Sequence, residues 1–500
     1  MRSRWFSLTL LTFLTLATNA QTLTYARFLE QATFGPTPQS LAYVQQVGLE
    51  AFLDDQFSRA ESPLPPLNPN DRNALLNAFV GNAAQGEDQL RQRMINALSE
   101  IIVISTNKNQ QNQQIVPWLA ILSRNAFGNY RTLLYEISTD ASMGMYLDMV
   151  NSARPTAEGG ANENYAREVM QLFTIGLHQL NQDGTPVLDT SGNLIPTYTQ
   201  TDVAQVALAF TGWTYNTSSN PPSATLRNFG YYPGPMIPAP AYHETSSKTV
   251  LGTVIPANQT VQQDMSSVLD ILFNHPNLGP FLATRLIRAL VTSNPSPAYV
   301  ARISAVFADN GQGVRGDLRA VVRAILLDAE ARNDNPAGAF GRLRTPMQHV
   351  IAMCRALGLT VPAGSTINWN LGQMGEHPLM APSVFGHYSA LFRIPNSGGL
   401  YGPEFQIHTP MEAINRANLL HAQWTTPTGT LPAALQPLAD ISADPVALTN
   451  AVDAALLYGR MPTAMRTAIE QAVAQSATNP MKVRTALYLT IMSGDYLVQH

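Results

Sequence analysis

Apolar residues recur at helical spacing through most of this chain, and Pro, Gly and Asn interrupt the pattern at short intervals. "LEAFLDDQF" (49–57), "QLRQRMINALSEIIVIS" (89–105), "NYRTLLYEIS" (129–138), "LGPFLATRLIRALVTS" (278–293), "AYVARISAVFADNG" (298–311) and "MKVRTALYLTIMSGDYLVQ" (481–499) each fit one buried face of a 3.6-residue helix. "GPTP" (35–38), "SPLPPLNPN" (62–70), "NPSP" (294–297) and "PTGTLPAALQP" (427–437) read as the loops between them. The expected fold is therefore mainly α, an irregular multi-helix bundle. One small β-hairpin is expected in "DGTPVLDTSGNLIPTY" (183–198), where two extended runs flank the turn Asp189–Asn193. Residues 214–257, rich in Pro, Tyr, Ser and Asn, lack helical periodicity and form a long irregular segment.

Cys354 is the only cysteine, so neither an intrachain disulfide nor a thiolate metal cluster can hold this fold. Stability has to come from burial. A chain of 500 residues, 45% of them hydrophobic, can supply it as a single large helical domain over 21–500 or as two fused lobes. The net charge of -4 argues against a nucleic-acid protein, which needs a clustered basic surface. Residues 1–20 have the plan of a cleavable export signal: Arg2 and Arg4, an apolar run from Trp5 to Ala17, and the small-residue site Thr18-Asn19-Ala20. That run is too short to span a bilayer, and no later stretch comes closer. The expectation is an exported protein, periplasmic or extracellular, with no transmembrane segment in the mature chain.

Only 13% of the residues are charged, about half the usual share. Against that background "NENYAREVMQLFTIGLHQL" (162–180) is chemically dense. At about 100° per residue, Glu163, Thr174, Arg167, His178, Gln171, Asn164 and Glu168 share one arc, opposite Tyr165, Val169, Leu172, Phe173, Met170 and Leu177. Two readings are open. The row is a solvated face with a Glu163/Arg167 pair and Asn162 as N-cap, or it faces a cleft. In a cleft, Glu168 and Glu163 are candidate acid/base groups, and Arg167, Asn162 and Asn164 are candidate substrate contacts. "HETSSKTVLG" (243–252) adds His243 as a proton shuttle and Lys248 as an anion-binding charge, with Glu244 between them. The competing reading is an ordinary surface loop.

Other patterns carry local duties. Position 247 is Ser, so His243-Glu244 does not begin a zincin motif. Thr199 and Asp202 match a capping box ahead of "VAQVALAFTGW". "GQGVRG" (311–316) follows a helical run and not a strand, so its glycines end one helix and Asp317 caps the next. Cys354 and His349 fall on a helix begun by Thr345-Pro346 and read as core residues. His377, His387, His408 and His421 show no metal-ligand spacing.

The order and spacing of several segments give a resemblance that runs from about residue 26 to 499. They include "ARFLEQATFGPT" (26–37), "AFGNYRTLLYEIS" (126–138), "MGMYLDMVN" (143–151), "NENYAREVMQLFTIGL" (162–177), "TYTQTDVAQVALAFTGW" (197–213), "HETSSKTVLG", "FLATRLIRALV" (281–291), "APSVFGHYSALFRIPN" (381–396), "GPEFQIHTPMEAINRAN" (402–418) and "SGDYLVQH" (493–500). The chain resembles the secreted bacterial family called domain of unknown function 1800. The resemblance implies an exported, mainly α-helical protein of no established activity, often encoded beside a secreted protein with a phosphatase-like fold. The family's Asn/Glu-rich helix falls on Asn162, Glu163, Asn164, Tyr165, Arg167 and Glu168, and its His-acidic-Lys loop on His243, Glu244 and Lys248. Glu244 stands where the family commonly has Asp, and Gln171 where it commonly has Glu. If the latter carboxylate bound a metal, this chain would bind it less well.

The leading expectation is a secreted enzyme or ligand-binding protein for anionic or polysaccharide-like material, with 162–178 and 243–248 each forming a wall of a cleft. The sequence assigns no cofactor. The rival is a non-catalytic envelope or export accessory that docks a secreted phosphatase-like partner. A third reading is a metal-dependent hydrolase using Glu163, Glu168 and His243.

Overall fold

Helices in this chain begin where the sequence supplies a side-chain oxygen for the orphan amides of the first turn. Thr37, Thr199 and Thr260 close capping boxes with Ser40, Asp202 and Gln263. Ser296, Asp317, Thr345 and Thr478 cap the helices Pro297–Ala308, Leu318–Leu327, Pro346–Leu357 and Asn479–Ile491. Each such cap contributes roughly 1 kcal/mol. The computed structural model describes residues 20–67, 71–157, 159–217, 228–334, 338–361, 365–424 and 430–500. The expected export signal, apart from its last residue, lies outside them.

The architecture is mainly α, from Ala20–Ala32 to the short Gly494–Leu497. One contiguous apolar core runs through it, from Ala26 and Phe28 near the start to Leu487 and Tyr496 near the end. The helices expected at 49–57 and 129–138 form within a residue, and those at 278–293 and 298–311 end three residues short. Two stop earlier for local reasons. The run 89–105 is helical only over Gln89–Ser99, because the β-branched stretch Ile101-Ile102-Val103-Ile104 follows in a buried, non-helical conformation. The C-terminal run breaks after Ile491, Ser493 caps a new turn, and Val498–Gln499 becomes a strand.

Three two-stranded antiparallel ribbons complete the described fold: Trp213–Thr214 with Ile237–Pro238, Lys248–Val250 with Thr253–Ile255, and Arg342–Leu343 with Val498–Gln499. Two of them lie in the expected irregular segment 214–257, of which 218–227 falls outside the described residues. The hairpin expected at 183–198 is looser. Its turn is present, with Asp189 Oδ1 accepting from the amides of Ser191 and Asn193 at 2.8 Å. Its arms make only isolated bridges, Leu188 to Leu194, Leu180 to Pro186 and His178 to Pro196. Pro186 and Pro196 have no N–H to donate, so the ladder cannot propagate.

Charged side chains bind distant segments to one another inside the core. Arg344 donates to Glu30, 314 residues away, and to the carbonyl of Tyr496, over whose ring its guanidinium stacks. Arg342 donates two hydrogen bonds to Glu404 Oε1, and Arg93 donates to Gln499 Oε1 at 3.1 Å. Removing one member of a buried pair strands the other, which costs about 3–5 kcal/mol. Arg344→Ala should therefore lower unfolding stability by about that amount in urea denaturation. Arg167→Ala, which breaks a half-exposed pair, should change it by less than about 1 kcal/mol.

Candidate functional site

The polar row 162–178 does not stay on one helix. Asn164–Glu168 is α-helical, and Val169–Thr174 widens into a π-turn. The amides of Ile175 and Gly176 both close on the Met170 carbonyl at 2.9 Å, and the Thr174 hydroxyl donates to the Val169 carbonyl. Gly176 ends the element at a φ of 70°, where a Cβ would meet the Phe281 ring at 2.9 Å. His178 therefore leaves the helix and lies in the bridge to Pro196, and Thr174 is fully buried. The arc drawn at 100° per residue holds only as far as Glu168.

Within that first turn the residues divide. Glu163 Oε2 accepts from Arg167 Nη2 at 3.0 Å and from Gln200 Nε2 at 2.7 Å, all on a half-exposed face. Asn162 lies before the N-cap, not at it, and its Oδ1 accepts the Asn164 amide at 2.9 Å. Asn164 Nδ2 donates to Asp148 Oδ2 at 3.1 Å, and Lys108 Nζ holds the other oxygen of Asp148 at 2.6 Å. Lys108, Asp148, Asn151, Arg154, Asn162 and Tyr215 line a surface groove of 720 Å³.

Glu168 is different. It is 8% exposed, no side chain or backbone group among the described residues hydrogen-bonds it, and its Oε2 is sealed from solvent. Burial raises its carboxyl pKa above the ordinary value, and the neighbouring Arg167 only partly opposes this. Its negative field also reaches two phenols. Burial first, and Glu168 second, pushes Tyr146 up to about 12, and Tyr198 is raised by burial with a smaller contribution from Glu168. Glu168 lies one turn after Asn164, which donates to the groove residue Asp148, and does not itself line the groove.

The second expected wall is built differently. Lys248 Nζ contacts Asp264 Oδ2 at 2.6 Å and donates to the carbonyls of Glu244 and Ser246. His243 Nε2 lies 3.0 Å from the same carboxylate oxygen, and its Nδ1 donates to the Thr211 carbonyl at 2.8 Å. All three side chains are within 2% of complete burial. Gly212, at a φ of 84°, leaves the space His243 occupies, since a Cβ there would meet His243 Cβ at 2.9 Å. Glu244 Oε1 accepts the Ser246 amide, and this hydrogen bond holds its carboxyl below the usual range. The loop thus turns inward and fastens the end of helix Gln200–Ala209 to helix Val261–Asn274. Neither His243 nor Lys248 presents a free charge to solvent, and neither lines the groove that Asp148 and Asn162 face.

Glu163, Glu168 and His243 do not assemble as metal ligands. Among the described residues no group of three or more His, Cys, Asp or Glu side chains could hold a metal ion. Cys354 is a buried thiol pushed up to about 12 by desolvation, which leaves it inert. No described helix is long and apolar enough to cross a membrane.

Two residues that matter here were not singled out in the sequence. Asp264 follows Val261 by three positions and precedes Val268 by four, so it sits on an apolar face and required a buried cation. Asp148 adopts a φ of 57°, unusual outside glycine, and carried no motif to mark it. Asp264→Ala should cost about 3–5 kcal/mol in chemical denaturation, because it strands Lys248 in the core. Lys248→Met in the same background should restore part of that loss.

Over residues 27–498 the chain matches a family described as protein of unknown function (DUF1800). No curated protein and no solved structure matches it.

Proposed function

Since this chain belongs to the DUF1800 family, whose description assigns no reaction, we propose its function from the groove itself: an exported protein that binds polysaccharide-like, hydroxyl-rich material and cleaves it with Glu168 as proton donor. The observation that carries this reading is the buried, unpartnered carboxyl of Glu168 on the helix whose first residue, Asn164, holds Asp148 of a polar groove. Burial that raises a carboxyl's pKa favours its protonated form, the form that can donate a proton to a leaving oxygen. Asp148, held by Lys108 and Asn164, supplies a second carboxylate in a polar setting. Two carboxyl groups in such unlike surroundings suit the divided roles of acid and charge-stabilising partner in glycoside cleavage. The π-turn that begins after Glu168 supports the reading, because π-turns concentrate at functional sites.

In this proposal Asn162, Asn164 and Arg167 orient the substrate from the helix side, with Glu163 holding Arg167. His243 and Lys248 act at a distance by fixing the chain around Asp264. Residues 1–20 direct export to the periplasm or beyond.

The test is digestion of a polysaccharide panel with matched variants. Glu168→Gln should lose at least about 100-fold in turnover, the usual worth of a positioned general acid. The same variant should unfold no more easily than the parent at neutral pH. The sign follows from the raised folded pKa: the protonated group is favoured in the folded state, so its contribution is full at low pH and is lost as pH rises through that pKa. Gln removes this loss. Full activity in Glu168→Gln would end the proton-donor role, and a parent that neither binds nor cuts any member of the panel would end the reading as a whole.

A docking role draws support from one other observation. Trp369, Met411 and Ile414, on the packed helices Ser365–Gln373 and Pro410–Trp424, are 63%, 69% and 60% exposed. Exposed large apolar side chains of this kind suit a partner surface, here for the secreted phosphatase-like protein. Trp369→Ser combined with Ile414→Ser should abolish co-elution with that protein and leave polysaccharide turnover intact.

A further inference from the structure

A second set of charges converges far from the groove, between helices Gln89–Ser99 and Leu278–Leu290 and the segment 386–404. Arg285, Arg288, Arg342, Tyr388, Glu100 and Glu404 line a recess of 40 Å³ there. None of them lines the groove of Asp148 and Asn162.

One oxygen of each carboxylate in this recess is engaged, while Glu100 Oε2 and Glu404 Oε2 are sealed without a hydrogen bond among the described residues. Glu404 Oε1 accepts both Nε and Nη2 of Arg342, whose Nη1 donates to Gln348. Glu100 Oε1 faces His387 Nδ1 at 3.6 Å. Burial alone would lower that imidazole, but the hydrogen bond and charge of Glu100, with Glu376 behind, hold it up at about 9. The imidazolium therefore offsets Glu100.

The remaining guanidiniums have no carboxylate of their own. Arg285 donates through Nη2 to the Glu100 carbonyl at 3.0 Å, its one hydrogen bond among the described residues. Arg288 donates to the carbonyls of Ser293 and Ala390, and stacks on the Tyr401 ring at 4.0 Å. Arg93, behind them, reaches only the Ala289 carbonyl and the Gln499 amide. Burial, with repulsion from Arg288, lowers Arg285 to about 10, and burial with Arg342 lowers Arg93 to about 9. Neutral carbonyls satisfy N–H groups but cancel no charge. A surplus of desolvated guanidinium calls for an anion.

We propose that this recess is an oxyanion site, in which Arg285 and Arg288 grip a carboxylate or phosphoryl group and the Tyr388 hydroxyl gives a third hydrogen bond. Among the described residues Arg285 donates only through Nη2, and both arginines line the same small space, with Arg288 also engaged by Tyr401. Tyr388 stays a phenol: burial, then Glu100 and Glu404, raises its pKa far above the ordinary value. Arg285, Arg288 and Tyr388 are only half-buried, which leaves the recess open to the outside. A volume of 40 Å³ admits the head of a ligand and not its body. The ligand is then a small oxyanion, or a larger molecule that presents one.

The test uses the full mature chain, with thermal shift and calorimetric titration by sodium acetate and by sodium phosphate, against sodium chloride at equal ionic strength. Acetate, phosphate or both should raise Tm in a saturable way that chloride does not reproduce. Acetate alone would identify a carboxylate site, and phosphate alone a phosphoryl site. Arg285→Gln should weaken the responding ion about tenfold or more, the worth of a charge-assisted hydrogen bond. Tyr388→Phe, which keeps the ring, should weaken it several-fold and covers the case in which Arg285→Gln fails to fold. Arg167→Gln, on the opposite site, should leave the response unchanged. A chloride response equal to both oxyanions would overturn the site, as would parental affinity in Arg285→Gln or in Tyr388→Phe.

Discussion

The pairing of Arg344 with Glu30 inside the core closes the first helix onto the last turns of the chain, and the rest of the fold is arranged around that closure. With one cysteine and no disulfide to pin its ends, the chain joins residues hundreds of positions apart through desolvated charges. The same device recurs at Arg342 with Glu404, at Arg93 with Gln499, and at Lys248 and His243 with Asp264. Such pairs add little net stability, since desolvation consumes most of the attraction. Their effect is to exclude alternative packings, because any register that separates the partners leaves a bare charge in an apolar interior. In a bundle of short helices with similar Leu/Ala-rich faces, that exclusion determines which helix meets which.

Where apolar spacing and a capping oxygen coincided, the fold was legible. Thr199 with Asp202 marked the start of Gln200–Ala209, and Thr345-Pro346 marked Pro346–Leu357. Asp317 capped its helix as implied, whereas the helix before it ends at Ala308 with Asp309 as C-cap, ahead of the glycines of 311–316. Illegible were the features that depend on a third dimension. Periodicity at 3.6 residues cannot announce a π-turn, so the positions after Glu168 were rotated off the face assigned to them. Spacing also marks only one side of a helix as inner, whereas every residue from Gln89 to Leu98 is buried, Arg91 and Arg93 among them. His349 is the core residue its helix implied, but burial drives its pKa well down and both ring nitrogens lie sealed without a hydrogen-bond partner among the described residues.

The polar row at 162–178 divides between a solvated face and a buried position. Glu163 and Arg167 form the solvated pair that their i,i+4 spacing implied. Glu168, one residue further along, turns inward between Tyr146 and Tyr198 and meets no donor. An unpartnered carboxyl is costly to bury, and nothing in the packing around it requires an acid in place of Gln or Met. His243 and Lys248 are the reverse case: their chemistry suggested a site, but their partner Asp264 was invisible without the fold. Glu168 is buried without a hydrogen-bond partner, and in this it stands apart from Lys248 and Arg344, whose charges are paired.

The two unpaired clusters also constrain each other through the charge balance of the chain. The net formal charge is -4, yet Arg93, Arg285 and Arg288 gather in one region without a carboxylate of their own. The rest of the molecule is correspondingly more negative than the total suggests. A densely anionic polymer approaching that surface is repelled over a Debye length of about 8 Å, and only Lys108 and Arg154 in the groove oppose it. Lys108 is already committed to Asp148. In the proposed reading the groove, lined by Asn151, Ser152 and Asn162, is better matched to neutral, hydroxyl-rich chains, and the proposed recess at Arg285 to a single compact anion.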